Sequence, residues 1–135
     1  MTKQPLILNW QCGLGDAVLL TGLARDIEAT YPGRFELMAH SSFASVWENN
    51  PICRAVPSAK PGTQVVDIGK AFQAVLGNMK NNRLRMHAMA GVRQAFELLT
   101  RIPVKATKPH GDLYLSETTK KPLVSGKYWV MVAGG

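Results

Sequence analysis

Asp16 follows the turn Gly13-Leu14-Gly15, which itself follows the apolar run Pro5–Trp10. An apolar-periodic stretch begins directly after it. A strand, a glycine turn and a helix start place a carboxylate where nucleotide-binding α/β domains keep their ligands, beyond the carboxyl end of a strand. Such a carboxylate can take the proton of a substrate hydroxyl. A helix N-terminus favours its ionised form, which weakens it as a base but keeps it ready at neutral pH. The same side chain can serve as N-cap of the helix, worth about 1 kcal/mol. The two roles are compatible. Gly13 and Gly15 would let the backbone turn sharply and leave a substrate room beside the carboxylate.

Other chemistries fit less well. A dinucleotide loop needs a third glycine, and Val18 stands there. It also needs an acid at the end of the second strand to hold the ribose, but that stretch reads Met38-Ala39-His40-Ser41. No GK[ST] sequence is present, so this is no P-loop. His40, His87 and His110 are far apart and lack the spacing of metal ligands; each reads as a surface or loop histidine. No Asp-x-Asp occurs, the usual metal clamp of one large class of sugar transferases. Cys12 has no histidine near it in sequence to activate a thiol. Two cysteines, Cys12 and Cys53, make no disulfide framework, and a reduced, cytoplasmic setting is the default.

The elements that must position Asp16 follow from periodicity. Residues 5–10 read as a buried strand. Residues 16–30 read as a helix with Leu19, Leu20, Leu23, Ala24 and Ile27 on one face and Arg25, Asp26 and Glu28 on the other. Pro32-Gly33 stops it. Further strands are expected at 34–39, 52–56, 64–68, 112–116 and 128–132. A short helix capped by Ser41 or Ser42 is expected to run through Asn49. Residues 69–85 hold two helix-compatible pieces and the polar loop NMKNNRLR. Residues 86–101 read as a helix with Met89, Val92, Phe96 and Leu99 toward the core. Alternating strands and helices predict an α/β fold, a Rossmann-like parallel sheet with helices on both faces.

The chain has 135 residues and a net charge of +7, with no apolar run long enough to span a bilayer. Residues 1–59 carry four Lys/Arg against five Asp/Glu, and residues 60–135 carry twelve against four. The basic half suits an anionic partner. Lys80, Arg83, Arg85 and His87 cluster there. Aromatic residues are few and not interleaved with the basic ones, so the stacking platform of a single-strand nucleic-acid binder is missing.

The strand, G-x-G-D and AVLLTGLARDIEATYP together resemble the amino-terminal signature of glycosyltransferase family 9, the ADP-heptose:lipopolysaccharide heptosyltransferases. GRFELMAHSSFASVWENNP, with Asn50-Pro51, resembles that family's second strand and helix. VVDIG resembles its fourth strand, and KYWVMVAGG the first strand of its second domain. The similarity is strongest over residues 6–51 and weak over 69–110. Gly22 stands where relatives often have proline, with little expected consequence.

The resemblance implies a GT-B enzyme of two Rossmann-like domains facing a cleft. Residues 1–126 would form the acceptor-side domain, and residues 127–135 would begin a donor-side domain. Transfer would be inverting and metal-independent, without a cofactor, from a nucleotide-sugar donor such as ADP-heptose to an anionic glycan or lipid-linked acceptor. Asp16 would be the base, and Gly13, Leu14, Gly15, Arg83 and Arg85 would line the acceptor cleft. Gly134 and Gly135 would begin the loop that binds the donor diphosphate. Such a chain is expected to be a fragment, inactive alone. It would be cytoplasmic, with peripheral contact at the inner membrane left open. A related transferase using another nucleotide sugar, and a stand-alone module binding an anionic partner, are the alternatives.

Overall fold

The computed structural model describes residues 2–59, 61–82, 86–118 and 126–127. Strand β1 (Gln4–Trp10) pairs in parallel with β2 (Phe35–Ser41) on one side and β4 (Gln64–Asp67) on the other. The short β3 (Cys53–Ala55) extends the sheet beyond β2. The order β3-β2-β1-β4 is that of a Rossmann-like half-sheet. The chain winds outward from β1 through β2 to β3, then returns to β4 on the far side of β1. This creates a topological switch between β1 and β4.

Successive strand residues face opposite sides, and the two faces are unequal. Leu6, Leu8 and Trp10 of β1 and Phe35, Leu37 and Ala39 of β2 join one large core. Helices α1 (Leu14–Thr30), α2 (Ile68–Asn81) and α3 (Ala88–Thr100) all contribute to that same core. Among the described residues the other face buries only Ile7, Met38 and Val56. The expected helices on both faces are therefore not found among the described residues. The reason lies in the β3–β4 connection. A doubly wound fold carries a helix there, but the 56–63 stretch contains Pro57, Pro61 and Gly62, the last at φ +81°, and its described residues form none.

Helix α1 departs from its expected amphipathic form. Leu20, Leu23, Ala24 and Ile27 face the core as predicted, joined by Ala17, while Leu19 is only partly buried. Arg25 and Asp26 are buried too, at 9% and 0% exposure. The chain after α3 returns along the back of α1. Lys105 N–H donates to Thr30 Oγ1, Thr107 N–H to Asp26 Oδ1, and Asp112 N–H to Thr21 Oγ1. Gly111 lies so close that a Cβ there would overlap the Val18 carbonyl oxygen. Gly22 is needed for a similar reason: a Cβ would sit 2.7 Å from the Met89 methyl and 3.0 Å from the His110 carbonyl. The consequence of this glycine, expected to be small, is the close packing of α3 and the returning segment on α1.

Several boundaries shift. The predicted strand at 112–116 is absent, because Asp112 N–H and Tyr114 C=O bond to the side chains of Thr21 and Asn49, not to a sheet edge. The short helix is one 3₁₀ turn, Ala44–Trp47, with no side-chain cap. Ser41 ends β2, and Ser42 is occupied with Gln11 and Cys12. Helix α2 starts at Ile68, directly after β4, and takes in Asn78–Asn81, expected as loop. Met89, Val92 and Phe96 are buried as expected, whereas Leu99 is exposed. Among the described residues no helix is long and apolar enough to cross a membrane. The strand expected at 128–132 lies outside the described residues.

Candidate functional site

The carboxyl ends of β1, β2 and β4 bring together Asn9, His40 and Asp67. Asn9 stands in register with His40 on β2 and with Asp67 on β4. His40 Nδ1–H donates to Asn9 Oδ1 at 2.9 Å, which leaves Nε2 as an acceptor. Gln11 donates to the His40 carbonyl and accepts from Ser42, while Cys12 N–H donates to Ser42 Oγ at 3.1 Å. The β1–α1 turn is thus tied to the end of β2 by side chains. His40, read from sequence as a loop or surface histidine, belongs to β2 and is half-buried.

Asp16 lies in the first turn of α1, half-buried. The expectation that it caps the helix is wrong. Gly13 is the N-cap, in extended conformation with φ −71° and ψ 169°, and no side chain caps the end. Asp16 therefore sits three residues into the helix. Among the described residues its carboxylate makes no hydrogen bond or ion pair. The cap expected at Asp16 is found at Asp67, whose Oδ1 accepts from Lys70 N–H at the start of α2.

Gly13 and Gly15 have ordinary negative-φ backbone, so neither conformation requires glycine. The sharp turn expected of them is not what they provide. A Cβ on either would meet nothing within 4 Å. They leave the approach to Asp16 open, and Leu14 projects beside it at 55% exposure.

Cys12 also borders this turn. Burial raises its thiol above the ordinary value, the hydrogen bond with Ser41 opposes that, and the nearby Asp16 charge adds to it. A thiol shifted upward is protonated at neutral pH and a poor nucleophile.

No family model, curated protein or solved structure matches the chain. At the β1–β4 switch a cavity of about 380 Å³ is lined by Asn9, Trp10, Gln11, Asp67, Gly69, Lys70 and Gln73. Amides, one acid and one amine suit the hydroxyls of a polyol better than an apolar ligand. Gly69 keeps α2 close to the sheet, since a Cβ there would meet the Trp10 ring at 2.6 Å.

Sequence reading missed this second wall because its residues come from two stretches, 9–11 and 67–73, that lie far apart in the chain and meet only where β1 pairs with β4. Lys80, expected in a loop, lies in the last turn of α2. His87 caps α3, its Nδ1 accepting from Met89 N–H. Arg83, Arg85, Gly134 and Gly135 lie outside the described residues.

Proposed function

We propose that this chain is the acceptor-side half of a GT-B sugar transferase of the kind that glycosyltransferase family 9 comprises, with Asp16 as general base. The observation that carries this reading is the state of Asp16. It is a carboxylate at the carboxyl end of the central strand, free of capping and pairing duties, with two glycines leaving open space around it. A purely structural aspartate in a helix's first turn would be expected to hold the helix end, and here Gly13 does so.

In the reaction an acceptor hydroxyl hands its proton to the Asp16 carboxylate as its oxygen attacks the anomeric carbon. The nucleoside diphosphate leaves with the bonding pair, and the configuration inverts. The amide-rich cavity at the β1–β4 switch holds the acceptor sugar's other hydroxyls. Lys80, Arg83 and Arg85 contribute positive charge toward an acceptor bearing phosphates or acidic sugars. ADP-heptose as donor, with Gly134 and Gly135 at its diphosphate, rests on the resemblance; a different nucleotide sugar is compatible with every residue described. So is a cytoplasmic enzyme touching the inner membrane at its surface.

The test is a titration of the chain with a lipopolysaccharide core oligosaccharide, read by amide chemical shifts. Saturable shifts at Gly13, Gly15 and Asp16 are expected. Their absence at saturating acceptor removes the acceptor-side reading.

A further inference from the structure

A second cavity, of about 290 Å³, opens between the start of α3 and the returning segment. His87, Met89, Ala90, Arg93, Thr107 and Lys108 are among its lining residues. Three of these side chains carry nitrogen donors, and none of the lining residues is acidic. His87 Nδ1 accepts from Met89 N–H, so the ring's proton is on Nε2. Arg93 is mostly buried, and among the described residues its side chain makes one polar contact, from a terminal nitrogen to Asp26 Oδ2 at 3.5 Å. A guanidinium has five N–H donors in a fixed fork. The Asp26 carboxylate behind it is already served by Arg25 and by the hydroxyl and N–H of Thr107. Arg93 is thus oriented by Asp26 but left with donors to spare.

We propose that this cavity binds a phosphoryl group, with the Arg93 fork, the Lys108 ammonium and His87 Nε2–H as its donors. A forked guanidinium matches two oxygens of a tetrahedral oxyanion, and an ammonium adds a point charge. Phosphate fits this donor set better than a carboxylate does, because it presents oxygens to three separate walls. The site is distinct from the one at Asp16. Asp26, which Arg93 touches, is about 15 Å farther along the α1 axis at 1.5 Å per residue. It stands whether or not Asp16 is a base.

The experiment titrates the full chain with inorganic phosphate at constant ionic strength, using chloride as control, and follows amide chemical shifts. Saturable shifts at Met89, Ala90, Thr107 and Lys108 are expected with phosphate and not with chloride. Lys108→Gln, at an exposed position, should weaken phosphate binding about tenfold, the worth of a charge-assisted hydrogen bond. Arg93→Lys, which keeps the charge and loses the fork, should weaken it also. Lys105→Gln removes a nearby exposed charge outside the cavity and should change nothing. Glucose 6-phosphate and phosphatidic acid vesicles then separate a sugar phosphate from a lipid headgroup, the tighter ligand naming the source. Shifts that never saturate, or equal weakening by Lys105→Gln and Lys108→Gln, would mean diffuse attraction to a basic surface and overturn the proposal.

Discussion

The Arg25 guanidinium donates to the Asp112 carboxylate at 2.8 Å across 87 residues of sequence. The same guanidinium bonds the carbonyls of Lys108 and His110, the hydroxyl of Thr107 and the carboxylate of Asp26. One buried side chain thereby fastens the returning segment to the helix that carries Asp16. Removing it leaves the fully buried Asp26 with Arg93 as its remaining charge partner, beside the hydrogen bonds from Thr107, and breaking a buried ion pair from one side costs about 3–5 kcal/mol.

Arg25→Met is therefore expected to lower the unfolding free energy of the chain by about that amount. Asp112→Asn should cost less, because Asp112 is partly exposed and an amide oxygen can still accept. Urea unfolding of the three proteins measures both. Equal midpoints would show that the strap holds without Arg25.

Glycines give a second contrast. Gly111→Ala drives a methyl into the Val18 carbonyl, and overpacking of this kind costs about 1–3 kcal/mol. Gly15→Ala meets empty space in a helical position, where alanine is favoured by about 0.5–1 kcal/mol. It should fold at least as stably as the parent. In an enzyme assembled with a donor-binding domain, however, the methyl stands in the acceptor's path and should lower kcat/KM by about 10²-fold, as small misplacements do. Unimpaired turnover by Gly15→Ala would mean that the open space beside Asp16 is not used.

Much of this was legible in the sequence, for identifiable reasons. The parallel sheet followed from apolar runs and turn residues, signals that local chemistry carries by itself. Arg25 and Asp26 were misread because helical periodicity records which residues are polar, not whether a later segment will cover them. Their partners, Thr107 and Asp112, stand in stretches read as a loop and as the start of a strand, neither of which pointed back to α1. The cap at Asp16 was misplaced by the few residues that separate Gly13 from it, since an extended glycine serves as N-cap without a side chain. The lack of a helix on the second sheet face among the described residues traces to the proline-rich β3–β4 connection, whose bearing shows only once β4 is known to lie beside β1.

Cys53 gives a pH dependence with a definite sign. Burial in β3 raises its thiol from 9.0 to about 12, with Arg54 opposing. The unfolded chain releases this proton near pH 9, while the folded chain keeps it to about pH 12. The folded state binds more protons in that window, so stability is full below pH 9 and falls as pH rises, by up to about 1.4 kcal/mol per pH unit from this group. Cys53→Ala should show a correspondingly shallower alkaline loss in urea unfolding between pH 9 and 11. Identical slopes would mean that the thiol titrates freely in the fold.

Asp16 is the decisive residue, and the absence of a cap simplifies its test. Were it an N-cap, Asp16→Ala would melt earlier than Asp16→Asn, because asparagine caps and alanine does not. With Gly13 in that place, both variants lose only the favourable placement of a negative charge near the helix N-terminus, about 0.3–1 kcal/mol. They should therefore unfold at nearly the same urea concentration. Both should also lose activity together in an enzyme assembled with a donor-binding domain, since neither an amide nor a methyl can take the acceptor's proton. The expected fall in kcat is about 10²–10⁴-fold, the usual worth of a positioned base. Asp16→Glu keeps the carboxylate one methylene out of place and should recover part of the loss. If Asp16→Asn turns over near the parental rate, the proton goes elsewhere. His40, whose Nε2 is left as an acceptor by its bond to Asn9, is then the next residue to replace.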